Sequence, residues 1–171
     1  EMEKKRPPLF SGDTKGQLWP TFEYSQKIFS SSGVFQALRL AALLHDVGHP
    51  PFSHSGELFL PTRKEVYEAH PRLPEYLRSF IAGRKQEAHT PVSHEVFSVL
   101  ISYKLLEEVF RSHPELFCDF STRDVLSILS SHIRCEPSSS LEKLKALSFC
   151  RELLSGDFDI DRMDYLLRDS K

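Results

Sequence analysis

The residues of this chain that are best suited to chemistry lie close together in the segment 45–54. It holds three of the eight histidines, His45, His49 and His54, together with Asp46, and it follows an almost wholly apolar run at 34–44. Ionisable groups at the end of such a run are costly to bury unless they are paired or bind a metal. Imidazole and carboxylate groups are good ligands for Mn, Fe, Zn or Mg ions. The segment therefore predicts a metal centre in an apolar core, and the alternative is a pair of satisfied core polar groups.

A second set of reactive side chains lies near the end of the chain, at 157–169. If this segment is helical, its spacing places Asp161, Tyr165 and Asp169 on one face, with Arg168 beside them. That face offers carboxylates, a phenol and a basic group together. Beside a metal motif elsewhere in the chain, Asp161 becomes a candidate third ligand. The alternative is a solvated charged helix with ion pairs between successive turns.

A third candidate is the pair His94 and Glu95, near the start of a long predicted helix. His94 shares a helical line with Ile101 and Leu105, so we expect it to face inward. A buried histidine beside a glutamate can serve as an acid or a base. The alternative is a core histidine next to a glutamate that the helix dipole favours. The sequence contains no glycine-rich phosphate loop and no serine-hydrolase elbow.

Helical stripes and capping residues predict an all-α single domain that positions these groups. No alternating pattern of useful length indicates a strand. We expect irregular structure at residues 1–32 and 61–73. His132 is predicted to lie in the core, on the apolar stripe of the helix that follows Ser121. The predicted helices cover 33–48, 53–60, 74–82, a long segment from Thr90 to about 110, a segment after Ser121 or Thr122, 139–154, and a last segment from Ile160.

The composition excludes several classes of function. The chain of 171 residues is 40% hydrophobic and 27% charged, with a formal net charge of −2. This charge gives no strong signal for nucleic acid or for an anionic membrane. The three cysteines form no CxxC pair, which argues against a cysteine zinc site and for a reducing compartment. Without a visible signal peptide or membrane-spanning stretch, the cytoplasm is the predicted location, and the nucleus is left open.

The motifs now described resemble a known family. His45-Asp46 followed by Gly48-His49-Pro50-Pro51-Phe52-Ser53-His54 is similar to the signature of the HD-domain phosphohydrolases. With His94-Glu95 and the segment 159–169, the order of motifs resembles the deoxynucleoside triphosphate triphosphohydrolase branch. That branch includes bacterial dGTP triphosphohydrolases and the SAM-and-HD-domain enzymes. The resemblance implies an all-α HD-domain helical bundle with a metal site in its core.

The resemblance also implies roles for individual residues. One divalent metal ion, Mn, Fe, Zn or Mg with Ni as a substitute, would be held by His45, Asp46 and Asp161. The catalytic and phosphate-side residues would be His49, His54, Glu57, His94 and Glu95, with His54 as acid or base and Glu57 orienting the catalytic histidine. The substrate phosphates and sugar would contact Arg162, Tyr165, Arg168 and Asp169.

One departure from the family pattern concerns the first metal ligand. Relatives carry it in a stretch like Arg-x-x-His-Ser-x-Gly-Val, and no histidine precedes His45 in this chain. The chain also stops at Lys171, within the last predicted helix. We therefore expect a single HD-type domain over 1–171 that is incomplete at both ends, rather than a chain that has lost a ligand.

The function implied is hydrolysis of a deoxynucleoside triphosphate to deoxynucleoside and triphosphate. Two alternatives stay open: hydrolysis of another nucleotide phosphoester, such as a monophosphate or cyclic nucleotide, and a non-catalytic nucleotide sensor. The expected partner is a nucleotide substrate, with no membrane and no strong signal for nucleic acid. Relatives often form oligomers, so the resemblance implies a homo-oligomer as one option here. No surface pattern in the sequence shows one.

Overall fold

The computed structural model describes residues 32–116, 119–136, 139–156 and 160–169. In these ranges the chain forms seven α-helices and three short 3₁₀ helices. The α-helices are α1 (Ser32–Leu44), α2 (Arg63–Ala69), α3 (Glu75–Ala82), α4 (His94–Ser112), α5 (Thr122–Leu129), α6 (Leu141–Ser155) and α7 (Ile160–Asp169). The 3₁₀ helices are Ser53–Phe59, Lys85–Glu87 and Pro114–Leu116.

Capping side chains define where several helices begin. Ser121 accepts a hydrogen bond from the Asp124 amide, and the Asp124 carboxylate accepts one from the Ser121 amide. Thr62 and Glu65 form the same reciprocal pair at the start of α2. These pairs satisfy backbone N–H groups that a helix leaves without partners in its first turn. Gly83 ends α3 with a φ of 57°, a left-handed value that favours glycine.

The main core lies between α1, α5 and α6, which pack against one another. Apolar residues recur on α1 every three or four positions, and this spacing keeps them on one face of the helix. The buried side chains that these three helices contribute to this core are Val34, Ala37, Leu38, Ala41, Val125, Ile128, Ala146, Leu147, Cys150 and Leu154. Since α1 is anchored along this face, the direction in which the chain leaves it at residue 45 is fixed.

Two smaller clusters attach the segment 60–92 to the first half of α4. Val66 and Ile81 pack with Val96 in one cluster, and Leu77 packs with Val99 in the other. All five side chains are almost fully buried. The clusters therefore hold the N-terminal half of α4 firmly in place, and His94 is its first residue.

The predicted all-α class is confirmed, and no strand occurs in the described ranges beyond an isolated bridge between Thr62 and Pro91. Two predicted boundaries are wrong. The segment 61–73 contains helix α2, because the Thr62–Glu65 capping pair starts a helix there. Helix α4 begins at His94 instead of Thr90, because the Val92 amide donates to the Pro61 carbonyl and keeps this stretch extended.

Other expectations have mixed outcomes. Helix α1 ends at Leu44, four residues before its predicted end, and residues 45–48 form a turn. His132 is exposed beyond the end of α5, and Ile133 takes the buried position instead, so the predicted core placement of His132 is wrong. Residues 1–31 lie outside the described ranges, so their predicted irregularity stays a prediction. None of the described helices combines the length and the apolarity needed to cross a membrane.

Candidate metal and phosphate site

The turn 45–48, directly after α1, holds the His-Asp pair. The His45 Nδ1 atom lies 2.8 Å from the Ala42 carbonyl oxygen, to which it can donate its proton. His45 Nε2 then carries the lone pair, and it lies 3.4 Å from Asp46 Oδ2. Histidines that bind metals are oriented in this way, with one ring nitrogen donating to a carbonyl or carboxylate. The donor set of this pair therefore fits a divalent ion.

Asp46 also connects this pair to the next histidine. Its second oxygen, Oδ1, lies 3.6 Å from His49 Nε2. The turn produces this proximity, because the His49 amide donates to the Asp46 carbonyl and brings the two side chains to one side. The Asp46 side chain is 55% exposed, so the carboxylate is accessible to a ligand from solution.

The 3₁₀ helix Ser53–Phe59 supplies two further groups. Residues three apart eclipse one another in a 3₁₀ helix, so His54 and Glu57 share one face. Glu57 Oε1 lies 3.1 Å from His54 Nδ1 and 2.5 Å from His94 Nδ1. One carboxylate oxygen thus contacts both rings. The hydrogen bond with His94 is the main cause that lowers the pKa of Glu57, so the carboxylate is held in its ionised form.

This arrangement sets the protonation of the two imidazoles. An ionised carboxylate only accepts hydrogen bonds, so the Nδ1 atoms of His54 and His94 must carry protons. When each ring is neutral, its Nε2 atom is then an acceptor. The imidazoles of His54 and His94 can therefore each take up a proton at Nε2. Both rings have the Glu57 carboxylate as their counter-charge.

His49 completes the group by stacking on His94. The ring centroids lie 3.8 Å apart and the ring planes differ by 11°. His54 meets both rings edge-on, at 5.1 Å from His49 and 5.2 Å from His94. Ligand atoms of His49, His54, Glu57 and His94 all lie within 4.8 Å of one another, close enough to hold a cation.

The stacking limits how a cation would use this group. An imidazole nitrogen donates its lone pair in the plane of the ring, and two parallel stacked planes do not converge on one ion. Glu57, His54 and one ring of the stacked pair could therefore bind a cation together, whereas both stacked rings could not. With all four side chains in the described positions, the group is better arranged for proton transfer and for contact with phosphate.

The remaining predicted site residues are exposed or have side chains outside the described part of the structure. Glu95 is exposed on the first turn of α4, and Arg168 and Asp169 are exposed at the end of α7. The backbone of α7 is described, but the side chains of Asp161, Arg162 and Tyr165 lie outside the described part of the structure. Their roles, including the approach of Asp161 to His45, stay predictions.

Sequence reasoning missed one contact that shapes the site. The Gly48 amide donates to the Ser98 hydroxyl oxygen over 3.0 Å, and the bond is buried. Ser98 lies one helical turn after His94, between the buried residues Val96 and Val99. A serine on an apolar helical face indicates a polar partner, and this signal was available in the sequence.

Comparison with known proteins assigns the chain to a family. The HD domain family matches residues 23–169, most of the chain. The chain belongs to the HD domain family. Domains of this family are generally divalent-metal-dependent phosphohydrolases. The match does not distinguish branches of the family or substrates.

The similar curated proteins share this region within much longer chains. The uncharacterized protein MG461 homolog of Mycoplasma pneumoniae is 24% identical over 79% of this chain, and uncharacterized protein MG461 of Mycoplasma genitalium is 25% identical over 87%. Uncharacterized protein MJ1154 of Methanocaldococcus jannaschii is 32% identical over 77%. The chain spans 24%, 29% and 17% of these three relatives, respectively. No solved structure matches significantly.

Proposed function

We propose that this chain is the catalytic core of a metal-dependent nucleotide phosphohydrolase, which cleaves deoxynucleoside triphosphates to deoxynucleoside and triphosphate. The observation that carries the proposal is the meeting of His49, His54 and His94 around Glu57, directly beside the His45–Asp46 turn. Acid–base groups and a candidate metal pair are thereby brought into one accessible place.

The metal would be held by His45, Asp46 and Asp161. When bound, it polarises a phosphoryl oxygen and makes water a stronger nucleophile at neutral pH. The exposure of the Asp46 side chain is consistent with a site that substrate and water can reach.

The imidazoles supply proton transfer and positive charge. The His54 side chain is 75% exposed. Its Nδ1 proton is held by the Glu57 carboxylate. Its Nε2 atom is therefore available to exchange a proton with the leaving oxygen or with water. His94 would also exchange a proton at Nε2, and a protonated His49 ring would offset the negative charge that develops on the phosphate in the transition state.

The choice of a deoxynucleoside triphosphate depends on the resemblance of the motifs. His94-Glu95 and the segment 159–169 are similar to the triphosphohydrolase branch, and the segment would contact phosphate and sugar through Arg162, Tyr165, Arg168 and Asp169. The geometry of the described side chains supports phosphate hydrolysis in general and is neutral about the base and the sugar.

A substrate panel tests the proposal directly. The protein is incubated with Mn²⁺ and with deoxynucleoside triphosphates, ribonucleoside triphosphates, monophosphates or cyclic nucleotides, and the products are identified by ³¹P NMR. We expect inorganic triphosphate from the deoxynucleoside triphosphates. If only monophosphates or cyclic nucleotides are hydrolysed, they replace deoxynucleoside triphosphates as the assigned substrate class. Nucleotide binding without turnover of any compound would instead favour a sensor.

The chain offers a matched pair of histidines for the control. His94 and His113 lie at opposite ends of α4, and each has a glutamate beside its Nδ1 atom. His94→Gln should reduce turnover at least about a hundredfold, in the range that loss of a general acid or base produces. His113→Gln, where His113 is exposed and remote from the site, should leave turnover unchanged.

A further inference from the structure

The backbone at Gly48 lies directly against the first turn of α4. Its amide is buried and donates to the Ser98 hydroxyl over 3.0 Å. A Cβ atom placed on Gly48 would overlap the backbone of Ser98 and His94 and would lie 2.7 Å from the carbonyl carbon of Phe97. Only glycine allows this approach. The turn 45–48 and the first turn of α4 are therefore in direct backbone contact, with the Ser98 hydroxyl as a hydrogen-bond acceptor between them.

The same contact determines how two of the histidines meet. His49 follows Gly48, and His94 precedes Ser98 by one helical turn, so the two rings extend from either side of the hydrogen bond. They stack at 3.8 Å with nearly parallel planes. The buried His49 Nδ1 atom has no hydrogen-bond partner within the described part of the chain. Apart from the contact of its Nε2 atom with Asp46, the orientation of the His49 ring therefore depends on where its backbone is held.

We infer that Ser98 is a positioning residue, whose hydroxyl holds the Gly48 amide against α4 and thereby keeps the His49 ring stacked on His94. The effect of Ser98 on turnover rests on the proposed function, whereas the effect of Ser98 on the ring geometry does not. Ser98 is 2% exposed, so its side chain is shielded from anything that binds from solution.

The test compares two buried serines on the same helix. Ser98→Ala removes the acceptor of the Gly48 amide. Ser102→Ala removes a hydroxyl one turn further along α4, which is fully buried and has no hydrogen-bond partner among the described residues. Both variants lose one buried oxygen, so general effects on packing are matched. Both are checked for helical content by circular dichroism in the intact protein.

The first measurement is independent of activity. In protein labelled with ¹⁵N-histidine, stacking gives His49 and His94 ring-current shifts, and single substitutions of each histidine assign their signals. We expect Ser98→Ala to move both sets of ring signals toward the values of unstacked imidazole, whereas Ser102→Ala leaves them in place. Unmoved signals in Ser98→Ala would overturn the inference, whatever the activity.

The second measurement is turnover of the nucleotide that the panel identifies. We expect Ser98→Ala to lower kcat about ten- to a hundredfold with KM changed less than about twofold, because a small misplacement of reacting groups affects the chemical step. Ser102→Ala should keep the parental kcat. Equal kcat values for the two variants in an active protein would overturn the inference. If the parent protein hydrolyses no nucleotide, the proposed function fails, and the ring signals alone decide the inference.

Discussion

At the scale of single residues, Asp46 occupies the central position between two parts of the site. One of its oxygens faces His45 Nε2 and the other faces His49 Nε2, at 3.4 and 3.6 Å. The carboxylate can therefore contribute to a metal centre and still contact the neighbouring imidazole. No other carboxylate among the described side chains of the site has this double contact with the His-Asp turn.

Replacing Asp46 by alanine should abolish turnover and leave the fold intact. The side chain is 55% exposed and lies in a turn, so we expect the free energy of unfolding to change by less than about 1 kcal/mol. Turnover is followed with the substrate panel, and stability is followed by urea denaturation. Asp119, exposed near the opposite end of α1, gives the matched control, and Asp119→Ala should keep full turnover. An active Asp46→Ala protein would show that the metal pair is misassigned.

The chemical identity of these residues was predictable, but their contacts were not. His45, Asp46 and His49 share one short segment, and the types and spacing of such residues already indicate a metal or phosphate site. The contact of Gly48 with Ser98 joins positions fifty residues apart. Local pattern contains no information on which buried serine meets which amide, because that depends on how α1 and α4 pack.

At the scale of elements, the short 3₁₀ helix Ser53–Phe59 orients two of the site's side chains. It is entered through Phe52 and Ser53, with φ values of 69° and 53°. Such left-handed conformations are unfavourable for residues other than glycine, by roughly 1–2 kcal/mol each. The sequence predicted a helix over 53–60 but not its 3₁₀ geometry or this entry. Both depend on tertiary contacts that hold His54 and Glu57 toward α4.

Gly56 allows this 3₁₀ helix to fold back on the preceding prolines. It is buried, and a Cβ atom there would overlap the Pro51 carbonyl oxygen and lie 3.0 Å from Pro50 Cγ. Gly56→Ala should therefore shift the helix and separate Glu57 from His94. We expect turnover to fall at least about tenfold and the protein to lose about 1–3 kcal/mol of stability. The exposed neighbour supplies the control, since Ser55→Ala should change neither steady-state turnover nor the urea midpoint.

The capping pair at the start of α2 predicts a pH-dependent contribution to stability. The Thr62 amide and hydroxyl donate to the Glu65 carboxylate and hold its pKa below the usual 4.5. A carboxyl whose pKa is lowered by folding stabilises the protein above its unfolded pKa and loses this effect as the pH falls through its folded pKa. The parent should thus have a higher Tm than Glu65→Gln at pH 7.

That difference in Tm should shrink steadily as the pH is lowered below 4.5 and vanish once Glu65 is protonated in the folded protein. Other carboxylates titrate in the same range, but both proteins share them, so the difference isolates Glu65. Thermal melting between about pH 3 and pH 7 measures it. A Tm difference that stays constant over this range would mean that the charge of Glu65 does not contribute to the cap.

At the scale of the whole molecule, the site lies beside the core without forming part of it. The main core joins α1, α5 and α6, and the two smaller clusters hold the segment 60–92 on α4. The apolar stripes of α1 and α4 made the all-α class predictable from the sequence. The position of the segment 60–92 was not predictable, since its short helices have too few residues to show a clear stripe. The fold should therefore form whether or not the site is occupied.

Metal binding should consequently raise stability without being needed for folding. A ligand that binds only the folded protein adds about 2.7 kcal/mol at a free concentration of about 100 times its Kd. Mn²⁺ should therefore raise the Tm of the chelator-treated parent, while circular dichroism shows the same helical content before and after addition.

Two variants locate the ion that causes this rise in Tm. If the His45–Asp46 pair holds it, Asp46→Ala loses the rise and His94→Gln keeps it, because His94 contacts Glu57 and lies outside the metal pair. If the ion instead lies among Glu57, His54 and the His94 ring, His94→Gln weakens the rise and Asp46→Ala retains it. A parent protein whose Tm is insensitive to Mn²⁺, Zn²⁺, Fe²⁺ and Mg²⁺ would contradict both locations. The comparison requires no substrate, so it separates the position of the metal from the identity of the nucleotide.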